Sequence, residues 1–154
     1  MKHFITLLAA LFVIAGCGGA ETVKISSKDA KIATQTGTRD QAGNLLSSGK
    51  PGYFVYGPYM KLEAGKYRLV AKGSLVASDA AAPIGTIDAV AKIGKLVMGK
   101  KEITAQEQEN GKIVTFEFSL ASDVADAEFR IFVNDKVTGS FAGYELTKIG
   151  KAGE

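Results

Sequence analysis

A single cysteine, Cys17, and a single histidine, His3, decide most of what this chain can do chemically. Cys17 closes the stretch Ile14-Ala15-Gly16-Cys17, behind the uncharged run Phe4 to Val13 and the basic start Lys2-His3. A basic start, a short apolar core and small residues at the cut describe a secretory signal. The core is about ten residues long, whereas a spanning helix needs roughly 20. Residues 1–16 are therefore expected to be cleaved, and His3 leaves with them. The processed chain has no imidazole, and its one thiol sits at the new amino terminus. Ser-His-Asp and Cys-His nucleophilic machinery is excluded. So are histidine zinc sites and cysteine-based zinc or iron–sulfur sites. Carboxylate, lysine and tyrosine chemistry remains.

Carboxylates are plentiful but form no signature. A glycosidase needs two of them about 5–10 Å apart across a cleft, and the sequence singles out no such pair. Asp123, Asp126 and Asp135 stand near turns, where capping of backbone N–H groups is the default role. No loop has the dense oxygen-ligand spacing of an EF-hand, so no metal and no cofactor are expected.

The tyrosines are Tyr53, Tyr56, Tyr59, Tyr67 and Tyr144, and there is no tryptophan. Aromatic faces can pack against the C–H groups of a pyranose. Tyr56 and Tyr59 flank the Gly57-Pro58 break and are the candidates; Tyr67 lies in an apolar register and belongs to the core. Asp88 and Arg130 each lie opposite the aliphatic residues of their strands. If those strands are neighbours, the two make a charge-assisted, bidentate pair. That pair is either a structural ion pair or a polar floor for glycan hydroxyls. Phe132 and Asn134 share the Arg130 face. The candidate ligand-binding set is Tyr56, Tyr59, Asp88, Arg130 and Asn134.

Ile14-Ala15-Gly16-Cys17 resembles the lipobox of bacterial lipoproteins. The resemblance implies diacylation of the Cys17 thiol, cleavage before it and acylation of the new amino group. One acyl chain holds a protein only marginally, but two or three hold it essentially permanently. Gly18 replaces the Asp that, in enteric-type bacteria, signals inner-membrane retention, so the resemblance favours the outer membrane. Residues 17–20 form a short lipidated tether. Gly18 to Ala20 span about 10 Å at roughly 3.3–3.6 Å per residue, which keeps a single domain at 21–154 near the bilayer. The formal net charge of +3 falls by one when Lys2 is removed. The lysines are scattered and Lys100-Lys101 is the longest basic run. No nucleic-acid partner is expected without a basic face. Lys100-Lys101 reads as a solvated face, with mild attraction to anionic headgroups or acidic glycans as the alternative.

These residues must be positioned by strands. After residue 20 the chain alternates apolar and polar residues between glycine, proline, asparagine and aspartate punctuation. Strands are expected at Glu21–Ser26, 52–70, Thr86–Lys92, Lys95–Met98, Glu102–Thr104, Ile113–Leu120, Asp126–Asn134 and Ser140–Ile149. Short ones are expected near Lys31–Thr36 and Asn44–Leu46. Val23 and Ile25 share one face of the first strand. Gln106 to Lys112 reads as a hairpin loop tipped by Asn110-Gly111. About eight to ten strands predict two packed antiparallel sheets, an all-β sandwich, with a closed barrel as the alternative. The series Tyr56-Gly57-Pro58-Tyr59, Leu62, Gly65, Tyr67-Arg68, Ile87-Asp88-Ala89, Phe116, Phe118 and Phe129-Arg130-Ile131 resembles a bacterial jelly-roll module. Such modules are carbohydrate-binding-like sandwiches, some fused to enzymes of surface-polysaccharide synthesis. The resemblance implies a non-enzymatic, membrane-anchored envelope lipoprotein that binds a polysaccharide or another envelope component. It also implies a calcium ion in some members. The alternative is a structural or assembly lipoprotein that contacts protein partners.

Overall fold

Gly57-Pro58, the break expected within 52–62, separates two strands that pair with the same neighbour in one sheet. The computed structural model describes residues 20–153, so the signal and the acylation motif ending at Cys17 lie outside the described residues. Six strands form one sheet: β1 (Thr22–Ser26), β2 (Gly37–Arg39), β3 (Leu45–Ser48), β6 (Gly65–Val76), β9 (Lys112–Leu120) and β11 (Thr138–Gly150). Their order is β2-β3-β11-β6-β9, with β1 also paired to β11. The other sheet holds β4 (Gly52–Val55), β5 (Pro58–Leu62), β7 (Gly85–Ala91), β8 (Leu96–Ile103) and β10 (Val124–Val133). Its order is β4-β10-β7-β8, with β5 also on β10. Every strand pairing among the described residues is antiparallel. This is the expected all-β sandwich of jelly-roll type. Its eleven strands exceed the expected eight to ten: 52–70 contributes β4, β5 and the start of β6, whereas the separate strands expected at 95–98 and 102–104 join in β8. Proline is accepted at the first residue of β5.

Period-two alternation sets the core. Tyr67, Leu69 and Ala71 of β6, Ile87 and Ala89 of β7, Phe116 and Phe118 of β9, and Phe129, Ile131 and Val133 of β10 are all buried. A run of ring contacts links the sheets: Tyr67–Phe118 at 5.4 Å, Phe118–Phe129 at 5.9 Å, Phe129–Tyr144 at 5.6 Å and Phe141–Tyr144 at 4.6 Å. Phe141 and Tyr144 are three residues apart, yet both point inward. A register shift between Phe141 and Gly143 makes this possible. Gly143 has φ 149°, and a Cβ there would come within 2.4 Å of the Ile25 carbonyl oxygen.

Two local expectations give way to tertiary pairing. Lys31–Thr36 is not a strand; only Ala33 pairs, in an isolated bridge to Tyr56. Val23 and Ile25 do share a face, opposite the buried Leu146 and Tyr144, and Val23 is 42% exposed there because it lines the open mouth between the sheet edges with Met60 and Leu62. Asn110 and Gly111 make the expected tight turn, closed by a Glu109–Lys112 bridge. The loop is nevertheless not a hairpin of one sheet, since β8 pairs with β7 and β9 with β6. Turn chemistry specifies a local reversal; the long-range partner decides the sheet.

Candidate functional site

The register of β7 and β10 places Arg130 directly opposite Asp88. The Arg130 Nε donates to Asp88 Oδ1 at 2.8 Å and Nη2 donates to Oδ2 at 2.6 Å. Both side chains are largely covered, 21% and 14% exposed, on the outward face of the five-stranded sheet. A bidentate, partly desolvated pair of this kind is stiff as well as strong. Its hydrogen bonds to Asp88 hold the guanidinium proton more tightly than usual, against the opposing effect of burial. The guanidinium carbon also lies 5.0 Å from the centroid of the Tyr53 ring, within cation–π range. Tyr53 is the cross-strand partner of Phe132, and their rings meet edge to face at 5.6 Å.

Two adjoining hollows share Tyr53 and Arg130. One, of about 330 Å³, is lined by Thr86, Asp88, Lys100, Phe132 and Asn134 as well. The other, of about 310 Å³, adds Gln35, Tyr56, Tyr59 and Glu128. The five residues expected from sequence thus gather around one guanidinium. Asp88 and Asn134 stand on one side of it, Tyr56 and Tyr59 on the other.

Each is fixed by its local backbone. Tyr56 exchanges two 3.0 Å backbone hydrogen bonds with Ala33. The Lys31 carbonyl passes so close to Gly57 (φ 117°) that a Cβ would meet its oxygen at 2.1 Å. Tyr59 adopts φ 59° and is 46% exposed. Its hydroxyl donates to Glu128 Oε1 at 3.1 Å. Burial and then the Glu128 charge push its pKa up to about 12, so it stays a neutral donor. The Asn134 side-chain amide donates to the Pro83 carbonyl at 2.8 Å.

Sequence reasoning left Tyr53 and Glu128 out of the candidate set, and noted Lys100 only as part of a basic run open to acidic glycans. The signal for Tyr53 was weak, because Phe54 and Val55 beside it are both fully buried and blur the alternation. Lys100 and Glu128 matter only through their strand neighbours, which sequence does not supply.

Other candidates serve the fold. Asp126 accepts the N–H groups of Lys92 and Ile93 at 2.9 and 3.0 Å, which holds its carboxyl below the ordinary range. Asp123 accepts the Ala64 N–H at 2.8 Å. The Tyr67 hydroxyl donates to the Glu63 carbonyl at 2.7 Å. Among the described residues no group of three or more His, Cys, Asp or Glu side chains could hold a metal ion. No described helix is long and apolar enough to cross a membrane.

No protein-family model matches this sequence, and no curated protein does. Solved structures do. The chain is similar to the C-terminal CBM6 of LamC, a marine laminarinase from Zobellia galactanivorans. The TM-score is 0.53 at 13% identity, over 83% of this chain and all of that one. It is also similar to the carbohydrate-binding module CBM6cm-2 of Cellvibrio mixtus lichenase 5A, in complex with cellotriose. There the TM-score is 0.50 at 12% identity, over 82% of this chain and 97% of that one. At such identities the likeness establishes a shared β-sandwich fold.

Proposed function

We propose that this chain is a non-enzymatic envelope lipoprotein, anchored through lipid on Cys17, whose sandwich binds a polysaccharide on the outer face of the five-stranded sheet. The observation that carries the reading is the aromatic and polar floor around Arg130. Tyr53 and Phe132 offer exposed ring surface, and the Asp88–Arg130 fork beside them is rigid enough to present hydrogen-bonding groups in a fixed pattern. A few placed polar groups among aromatic walls are what a small-ligand site requires. The fold shared with carbohydrate-binding modules agrees with it. The carboxylates near the hollows are already committed: Asp88 to Arg130, Asp126 to backbone amides, Glu128 to Tyr59. That favours binding over hydrolysis. Bare edges invite protein partners, but the edge strand β8 carries Lys100, Lys101 and Glu102. Charges there discourage strand addition, so the assembly reading is the weaker one.

Two measurements test the proposal. The full chain in detergent, applied to a glycan array, is expected to bind a defined set of polysaccharides; binding to none, with recovery of a stable protein complex from membranes, overturns the glycan reading. Cys17→Ser is expected to leave an unprocessed or soluble precursor. A mutant that is still processed and membrane-bound removes the lipid anchor from the proposal.

A further inference from the structure

The two hollows differ in charge, and the difference points to a class of saccharide. Asp88 and Lys100 are cross-strand partners in β7 and β8, so the register offers Lys100 an obvious carboxylate. Arg130 has taken it: both Asp88 oxygens are bound by the guanidinium. Lys100 forms no ion pair among the described residues, like most of the described lysines; what sets it apart is that it lines the hollow beside Arg130. Glu102, two residues along the same strand face, makes no ion pair with it either. The first hollow therefore contains a matched pair and one surplus cation, with the Thr86 hydroxyl and the apolar edges of Tyr53 and Phe132 completing the wall. The second hollow contains Arg130 and Glu128 and no surplus cation.

We propose that the saccharide bound here is acidic, its anionic group seated at Lys100 and Thr86 while uncharged sugar lies toward Tyr56 and Tyr59. This rests on the reading of the face as a glycan site. Lys100 is solvent-exposed, so its attraction for an anion is screened by water and falls further as salt rises. The anion gains a charge-assisted hydrogen bond without displacing Arg130 from Asp88. The two-cation, one-anion arrangement also sets a polarity along the face: an acidic residue of the chain fits at the β8 side, and one placed at the Glu128 side is repelled.

The test is calorimetric titration of the full chain in detergent with tri-galacturonate, a sulfated trisaccharide and neutral cellotriose. At low salt an acidic ligand is expected to bind about tenfold more tightly than cellotriose, an advantage that shrinks as salt rises. Preference for either acidic ligand supports the proposal, and the two arms tell carboxylate from sulfate. Lys100→Ala is expected to abolish the preference, bringing the affinity for the acidic ligands down to that for cellotriose, and Lys100→Arg to keep it. Lys100 is exposed on an edge strand, so neither variant threatens folding. Equal binding of neutral and acidic ligands, or equal weakening of both by Lys100→Ala, overturns the acidic assignment and leaves the glycan site standing. Binding of none of the three, with the array also blank, overturns both.

Discussion

The outward faces of the two sheets are built from similar residues and do different things. The six-stranded sheet carries Lys66 and Arg68 on Glu117, at 3.3 and 2.9 Å, and Lys72 near Glu145 at 3.8 Å. These side chains are between 33% and 50% exposed. They form a solvated ladder of exchangeable pairs of the kind that contributes little to stability. The outward face of the five-stranded sheet carries the Asp88–Arg130 pair, only 14% and 21% exposed, with the Tyr53 ring over the guanidinium. Water is largely replaced there by protein, so the charges are fixed in place. A face of mobile charges keeps a protein soluble. A face with one immobile pair and two aromatic walls is preorganised to recognise something.

That contrast can be broken most decisively at Arg130. Arg130→Ala removes the bidentate partner of the largely covered Asp88 carboxylate and leaves it only the exposed Lys100 across the strand. Urea unfolding is expected to show a loss of about 2 kcal/mol, with glycan binding lost as well. If stability and binding both survive, the pair is no more than another surface bridge. Next in size is the ring pair. Tyr53→Ala or Phe132→Ala should weaken glycan binding about tenfold while costing stability no more than about 1 kcal/mol, the scale of one cross-strand pair. Binding unaffected by either change would move the recognition surface elsewhere.

A third expectation concerns alkali. Unfolded tyrosine ionises near pH 10. Tyr59 in the folded chain holds its proton to about 12, and Tyr67 and Tyr144 are also shifted up, burial being the first cause in each. The unfolded state therefore loses protons first. The stabilisation is fully present below pH 10 and declines as pH rises from there through 12 and beyond. Urea midpoints taken across that range should fall, and Tyr59→Phe should reduce the slope without abolishing it, since Tyr144 remains. A flat profile would mean that the hydroxyls are not shielded as described. The smallest effect is expected on the other sheet: Glu117→Ala should leave the unfolding midpoint at neutral pH unchanged within error. A clear loss there would erase the distinction between the two faces.

Much of this was legible in the sequence for a specific reason. β6, β7, β9 and β10 are amphipathic with period two, so Leu69, Ile87, Phe116 and Phe129 declare their side of the sheet without knowledge of any partner. The same alternation put Asp88 and Arg130 on outward faces. It could not show that they oppose each other, because register belongs to two strands 42 residues apart. It failed at β4, where Phe54 and Val55 are both buried and the bulge opposite, between Ile131 and Phe132, shifts the phase. Tyr53 was lost there. It failed again at residues 104–112, where a correct local turn joins strands of different sheets.

What the amino-acid sequence determined alone was a set of one-body properties. The apolar period requires a two-layer all-strand fold. The absence of histidine beyond His3 removes whole classes of catalysis. The approach to Cys17 resembles a lipobox, which is the ground for proposing a lipid anchor. Tertiary structure decided the two-body properties: which carboxylate Arg130 takes, which lysine stands across from that pair, and which tyrosine the guanidinium covers. The reason is physical. A residue's preference for water or core is fixed by its own side chain, whereas a charge pair or a ring contact exists only once distant strands have chosen their register.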